Sequence, residues 1–482
     1  MVSVNRAIVL VIALLGCRSS DPAAPDSRTP DADVDAPPFT EPDPPTIVVG
    51  APDRILLKGA VVTPELQFVG EVLVEADKIT CVAADAACEG MPGAAGATVI
   101  DTKGVIAPGL IDTHNHILFD IFDDSDWHPA QLYGDHDQWP SEPRYNAMLD
   151  IKQCLVNDAQ GKPAWCAMTP YGTSAGSLRC EVDKFGELKG LVAGTTSIVG
   201  LPGTSAGCFG SLARSIDVAQ NELGFDNVQT SALYPPSDPN GVCANYASGK
   251  TTAFLLHAGE GIDSAAAAEF DHLGTMTTTP NCLYAPQTAI THGVAFTPAQ
   301  FATMATNGMK LIWSPQSNVS LYGMTADIPA ALDAGVSISL APDWSMGGSQ
   351  NLLDELRFAD SWDNAHWNDR LASQDLVTMV TRHGAQALAL DATLGSLEVG
   401  KVADIAVFTG TAAAPQAPGC ETIDICGAPK FLCVAQASAT NKLDQTYAQI
   451  TSALNDALTL SDSLTTDDGF NFAPLAPLVT CN

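Results

Sequence analysis

The sequence predicts an α/β fold: one large domain of alternating strands and helices, with a small β-rich domain. Three observations carry this. Setting aside a leader-like start and a polar stretch leaves about 430 of the 482 residues, enough for one large domain and an accessory one. Residues 105–393 alternate strand-forming and helix-forming segments, the pattern of parallel strands joined by helices. Within them, several apolar runs end abruptly in His, Glu or Asp.

The N-terminus supplies an address. Arg6 precedes an apolar run, residues 7–15, which is followed by Gly16-Cys17 and the polar Arg18-Ser19-Ser20-Asp21. That run is too short to span a bilayer and reads as the core of a signal peptide, residues 1–16. Leu14-Leu15-Gly16-Cys17 resembles the lipobox of bacterial lipoproteins, which implies cleavage before Cys17 and lipidation of its thiol. Several acyl chains on one cysteine anchor stably where a single chain does not. The expectation is a protein of the cell envelope, lipid-anchored to the outer membrane and facing periplasm or surface. The alternative is a plain secretory signal with an incidental cysteine. Residues 17–50, rich in Pro, Asp, Ala and Ser, bury too little to fold and read as a disordered tether. No later run is long and apolar enough for a membrane span.

A formal charge of −33 argues against nucleic acid or anionic headgroups as partners and keeps a tethered protein soluble. A small-molecule substrate and, through the lipid alone, a membrane remain. Of the thirteen cysteines, Cys17 aside, twelve remain, an even number for an oxidising compartment and without paired Cys-x-x-Cys spacing. Disulfides are therefore expected. Cys81 and Cys88 flank a hairpin and can pair locally, while Cys420, Cys426, Cys433 and Cys481 can staple the cysteine-containing tail, residues 411–482.

Residues 54–58, 70–74, 78–83 and 98–101 are short β-rich pieces separated by turns, suiting a small antiparallel sandwich over residues 51–104. The next run, Val105 to Thr113, contains Pro108-Gly109-Leu110-Ile111-Asp112 and ends in His114-Asn115-His116. Residues two apart share one face of a strand, so this pattern delivers two imidazoles to one point. Neutral imidazole is a common zinc ligand. Residues 118–188 are too long for an ordinary connection. Their aromatics and charges (Trp127, His128, Tyr133, Asp135, His136, Trp139, Tyr145) suggest an insertion acting as lid or substrate wall, with a merely decorative insertion as the open alternative. Residues 194–198 read as the next strand, and residues 213–218 and 228–234 as the two after it. Then come Phe254-Leu255-Leu256-His257-Ala258-Gly259-Glu260, Ala289-Ile290-Thr291-His292, and Val336-Ser337-Ile338-Ser339 leading to Leu340-Ala341-Pro342-Asp343. Each polar group stands where a strand ends.

These strings, in this order, resemble the amidohydrolase superfamily, and the Glu of His-x-x-Glu resembles its deaminase-like mononuclear branch. Gly395 to Phe408 is similar to the closing signature of that family, where the chain returns to complete the N-terminal sandwich. The resemblance implies a TIM-like (β/α)8 barrel over residues 105–393. It also implies a small β-sandwich built from both chain ends, with residues 394–410 as its second part. The further strand pair usual after that signature is not found here, so the sandwich is expected to be truncated. The resemblance implies His114, His116, His257 and Asp343 as ligands of one divalent ion, zinc foremost, iron or manganese otherwise. Such an ion makes hydroxide available near neutral pH. Asp343 accepts a proton from the water, His292 orients its attack, and Glu260 is placed to protonate a ring nitrogen or leaving amine. Two-metal relatives bridge their ions with a carboxylated lysine on the fourth strand; neither candidate segment for strands 3 and 4 has a lysine, which favours one ion. Trp313-Ser314-Pro315-Gln316-Ser317-Asn318 resembles the strand 7 segment of the cytosine, guanine and adenosyl-homocysteine deaminases, and Asn318 and Trp344 are expected either to line the substrate pocket or to support the loop. Pro342 departs from the small polar residue usual before the strand 8 aspartate.

The function implied is hydrolysis of a non-peptide C–N bond in a small cyclic amide, amidine or aminated heterocycle. Two alternatives stay open: the same site acting on a dipeptide-like or lactone substrate, and a surface binding protein on a silent barrel.

Overall fold

A computed structural model describes residues 45–409 and 430–431, apart from 64–65, 125, 157–165, 167–178, 192, 201–212, 218–222 and 224–226. The signal-like segment, Cys17, the tether and the four C-terminal cysteines lie outside the described residues. No helix among the described residues is long and apolar enough to cross a membrane.

Strands β1 (Thr46–Val48), β2 (Ala51–Val62), β3 (Gln67–Glu75), β4 (Lys78–Ala84) and β5 (Ala97–Pro108) begin the chain. They alternate in the sense required for burial on both faces. Ile55, Leu57, Val72 and Val74 pack on one side with Ile405 and Val407, whereas Leu56 and Leu73 pack on the other against Cys88. The disulfide Cys81–Cys88 forms as the spacing suggested, and Cys154–Cys166 and Cys243–Cys282 pair as well.

β5 overruns its predicted end. Residues 105–108, read above as the start of the large domain, pair through Val105 to Pro108 with the returning strand from the far end of the domain. The chain then breaks at Gly109, whose N–H donates to Asp404 O, and β6 (Leu110–Asp112) starts the next sheet. Gly109 is required here, because a Cβ would lie 2.1 Å from Thr196 Oγ1.

After α1 (Pro143–Leu155) and α2 (Arg179–Leu191), the parallel strands follow in chain order. They are β7 (Thr195–Ile198), β8 (Arg214–Ser215), β9 (Val228–Ser231), β10 (Ala253–Ala258), β11 (Thr288–His292), β12 (Lys310–Trp313) and β13 (Ser337–Leu340). β6-β7-β8 form one parallel run and β9 to β13 another. A parallel bridge between Asn115 and Asp343 joins the two runs beyond the ends of β6 and β13. The helices α3 (Pro239–Ser248), α4 (Ser264–Thr275), α5 (Pro298–Thr306), α6 (Pro315–Tyr322), α7 (Ile328–Ala334), α8 (Leu352–His366), α9 (Ser373–Met379) and α10 (Arg382–Ala387) fall between and after the later strands. Phe254, Leu256, Ile290, Leu311 and Ile338 pack with Phe270, Phe301, Met304 and Leu356 of these helices. The alternate residues Leu255, Ala289 and Ile312 join Ile111 and Val199 in a separate core.

β14 (Ile405–Thr409) returns antiparallel to β5, so both chain ends build the small domain. Its hydrogen bonds form one seven-stranded sheet, ordered β15-β14-β5-β2-β3-β4 with β1 against β5. The sequence reading had no strand after residue 410. β15 (Lys430–Phe431) corrects this: it pairs antiparallel with β14 and extends the sheet edge. Two residues without apolar alternation leave no pattern to detect.

Candidate active site

The strand ends bring His114, His116, His257, His292, Glu260 and Asp343 together. Ring centroids of neighbouring histidines lie 4.6 to 5.6 Å apart. His114 Nε2 is 2.9 Å and His116 Nε2 3.4 Å from the same atom, Asp343 Oδ1. All but His116, which is partly exposed, are buried, with His114 at 0% exposed and Asp343 at 2%. Three overlapping triads bring ligand atoms within 4.8 Å of one another: His114–His116–His257, His114–His292–Asp343 and His257–Glu260–His292.

Local structure explains each placement. Asp112 accepts from the His114 backbone N–H at 3.1 Å and from Asn115 Nδ2 at 3.0 Å, which fixes the turn carrying both N-terminal histidines. His257 lies at the end of β10 on the same face as Leu255. Its Nδ1–H donates to Ser231 O of neighbouring β9, 3.2 Å away, which turns the Nε2 lone pair to the centre. His292 follows the outward-facing Ile290 by two residues, so simple alternation would turn it toward the helices. A left-handed backbone, φ 75°, redirects it. Asp343 has the same departure, φ 69°. Non-glycine residues in this region cost about 1–3 kcal/mol each and concentrate at functional sites.

The electrostatics favour ligation. Burial pushes His116 down to about 3 and His257 well below the usual imidazole range, keeping both neutral. Burial alone would raise Asp343, but the His114 hydrogen bond and the surrounding histidines outweigh it and hold the carboxyl well below the usual range. Donors about 2.1 Å from a shared ion stand roughly 3.3 Å apart, close to the spacings found around Asp343 Oδ1. The donor set thus fits a divalent ion. No lysine occurs on β8 or β9, so a bridging carboxylated lysine has no source there.

Around this centre stands a second group. Tyr322 Oη donates to Glu260 Oε1 at 2.8 Å and accepts from Trp139 Nε1 at 3.1 Å. This leaves Glu260 Oε2 facing His292 Nε2 at 3.7 Å. Tyr322 was not singled out from sequence. The signal was available, because it lies four residues after Asn318 on α6, on the same helix face.

Asn318 lies against His292. It is fully buried; its Oδ1 accepts from His292 Nδ1–H at 2.8 Å and its Nδ2 donates to Thr325 Oγ1 at 3.2 Å. Both polar ends are thus engaged within the protein, with Asn318 standing behind the His292 ring. Trp344 is buried beside His116, Trp127 and Trp139, with ring centroids 5.6, 5.7 and 5.2 Å away, and its Nε1 has no hydrogen-bond partner.

The insertion supplies the rest of that wall. Trp127, Trp139 and Tyr145 cluster over Trp344, while Tyr133 and Trp127 both donate to Glu142. His136 lies beside Glu260, and His128 sits apart, near Asp124 O at 3.3 Å. Burial raises Glu269, on α4 next to His136, to about 7.

Comparison with known proteins agrees with this geometry. The sequence profile of the amidohydrolase family matches residues 228–444, which include His257, Glu260, His292 and Asp343. A 5-methylthioadenosine/S-adenosylhomocysteine deaminase of Bacillus cereus is 25% identical over 328 residues, 64% of this chain and 73% of the relative. Its counterpart from Haloarcula marismortui is 26% identical over 378 residues, 74% of this chain and 84% of the relative. Among solved structures, atrazine chlorohydrolase from Arthrobacter aurescens TC1 complexed with zinc superposes with a TM-score of 0.57 at 18% identity, covering 82% of this chain and 100% of that one. That likeness speaks for the fold alone. The profile, the relatives and the converging strand ends agree in a likeness to the amidohydrolase family, carried by residues 228–444, and the chain is a hydrolase acting on carbon–nitrogen bonds.

Proposed function

We propose that the protein removes an amino group, or opens a ring, by hydrolysing the C–N bond of a small planar heterocycle or cyclic amidine. The reading assumes one closed (β/α)8 barrel, supported by the eight parallel strands and the Asn115–Asp343 bridge between the first and last of them. One divalent ion, zinc foremost, would be held by His114, His116, His257 and Asp343. When bound there, such an ion supplies Lewis acidity and makes water a nucleophile near neutral pH.

The chain's own residues do the remainder. His292, whose Nδ1–H is committed to Asn318, presents Nε2 as an acceptor and orients the attacking water. Asp343, kept ionised, accepts the proton that the water gives up. Glu260 carries a proton to the ring nitrogen or leaving amine. The aromatic wall of Trp127, Trp139, Tyr145 and Trp344 excludes water and gives a planar substrate faces to stack on or edges to meet.

The observation that carries this reading is Glu260. A carboxyl three residues beyond His257, held at one oxygen by Tyr322 and turned toward His292 with the other, suits proton delivery to a basic nitrogen. The methylthioadenosine and adenosylhomocysteine deaminase relatives support an aminated heterocycle as substrate class. A panel of aminopurines, aminopyrimidines and triazines, assayed for ammonia, tests it. Release from at least one is expected. Silence throughout, with turnover of N-acyl amino acids or lactones, would overturn it in favour of the alternative substrate class. A purified protein that never holds about one equivalent of divalent metal would point instead to a binding protein.

A further inference from the structure

We propose that His136, contributed by the insertion, is a proton relay between Glu260 and solvent. This rests on the reading of Glu260 as the proton carrier. The imidazole sits between two carboxyls, with Nδ1 3.9 Å from Glu260 Oε2 and Nε2 3.6 Å from Glu269 Oε1. Asp137 Oδ1, on a carboxylate 90% exposed, lies 3.7 Å from the same Nε2. His136 Nδ1 is buried and has no hydrogen-bond partner.

The other contacts of these groups leave one route. Tyr322 occupies Glu260 Oε1, so a proton carried by that carboxyl belongs on Oε2, the atom facing both His292 and His136. The Gly259 N–H occupies Glu269 Oε2 at 2.6 Å, leaving Oε1 for His136. Backbone pairing fixes the ring in place. The His136 N–H donates to Glu260 O at 3.1 Å, Asp135 bridges Gly261, and Ile262 N–H donates to Gly134 O at 2.7 Å. Asp135 and Asp263 are the other charged groups of this junction, and Asp263 feels the charge of His136. Separations of this length tighten when substrate fills a site.

The balance is simple. Hydrolysis of an amino group yields ammonia, which leaves as ammonium near neutral pH and so takes up one proton per turnover. Glu260 Oε2–H gives its proton to the ring nitrogen and becomes a carboxylate, while the proton that Asp343 took from the water and the one left on the new hydroxyl pass to the departing amine. His136 Nδ1–H then protonates Oε2 as Nε2 takes a proton from water by way of Glu269 and Asp137, and tautomer exchange with water restores Nδ1–H before the next turnover.

His136→Gln tests the relay. It is expected to keep metal content and KM while kcat falls on the order of 10²-fold at about pH 8, less at about pH 6, and recovers partly with added imidazole. Full kcat with an unchanged pH profile overturns the proposal, as does a uniform loss that imidazole does not relieve. A second arm needs no substrate. In protein labelled at the histidine rings, Glu260→Gln and Glu269→Gln are each expected to shift the ring signal of His136 at fixed pH, because each alters a carboxyl that faces the ring. If neither moves it, the relay is wrong. An inactive wild type with both shifts intact would instead fault the substrate reading.

Discussion

Replacing Glu260 by Gln removes a transferable proton and leaves the shape of the side chain. Glu260→Gln is therefore expected to retain metal and fold while turnover drops by about 10²- to 10⁴-fold. His257→Ala should lose metal as well as rate, since it deletes a proposed ligand whose ring Ser231 O holds in place. If Glu260 merely stabilised the start of a helix, its loss would cost about 0.3–1 kcal/mol and leave turnover intact. Kinetics and metal analysis on the two variants separate these. Asn318→Ala makes a further demand. Without its Oδ1, nothing fixes which nitrogen of His292 carries the proton, and kcat should fall roughly 10- to 100-fold with metal content unchanged. The strand-end residues were legible because His, Glu and Asp interrupt apolar runs. The roles of Asn318 and Tyr322 were not, because a helix residue shows its period but not the neighbour it will meet.

At the scale of elements, β10, β11 and β13 announce themselves as apolar runs, while β8 and β9 offer two and four residues and little pattern. The junction of β5 and β6 was concealed differently. Val105 to Asp112 is one hydrophobic run in sequence but two strands in two sheets, and only their partners, β14 and β7, divide it. Gly109 is the hinge of that division. Gly109→Ala forces a methyl against Thr196, and a loss of about 1–3 kcal/mol is expected, read as a lower unfolding midpoint. Thr196→Ala in the same chain should restore part of it. No recovery would mean that the strain lies in the backbone and not in the contact with Thr196.

For the whole molecule, a formal charge of −33 works against compactness through self-repulsion. Raising salt from about 10 mM to about 150 mM shortens the screening length from about 30 Å to about 8 Å, so the unfolding midpoint should rise. A flat or falling midpoint would mean that specific ion pairs, among them Arg214 with Asp404 at 2.8 Å, outweigh the net charge. Metal should act in the same direction. At a free concentration of about 100 Kd it adds about 2.7 kcal/mol, a gain that a chelator should abolish.

The bridge between Asn115 and Asp343 also sets an order of events in time. The main-chain groups of His114, His116 and Asp343 are the ones that pair across it, and His114 and Asp343 are 229 residues apart in sequence. Contacts between such distant parts of a chain form late, after the segments between them have collapsed. The proposed ligand set therefore comes into being only when the last strand meets the first, and on that proposal metal capture reports completed assembly. On refolding, helix signal should recover before the protein withdraws zinc from a fluorescent chelator. Capture in step with the earliest helix signal would show instead that His114 and His116 bind metal before Asp343 arrives.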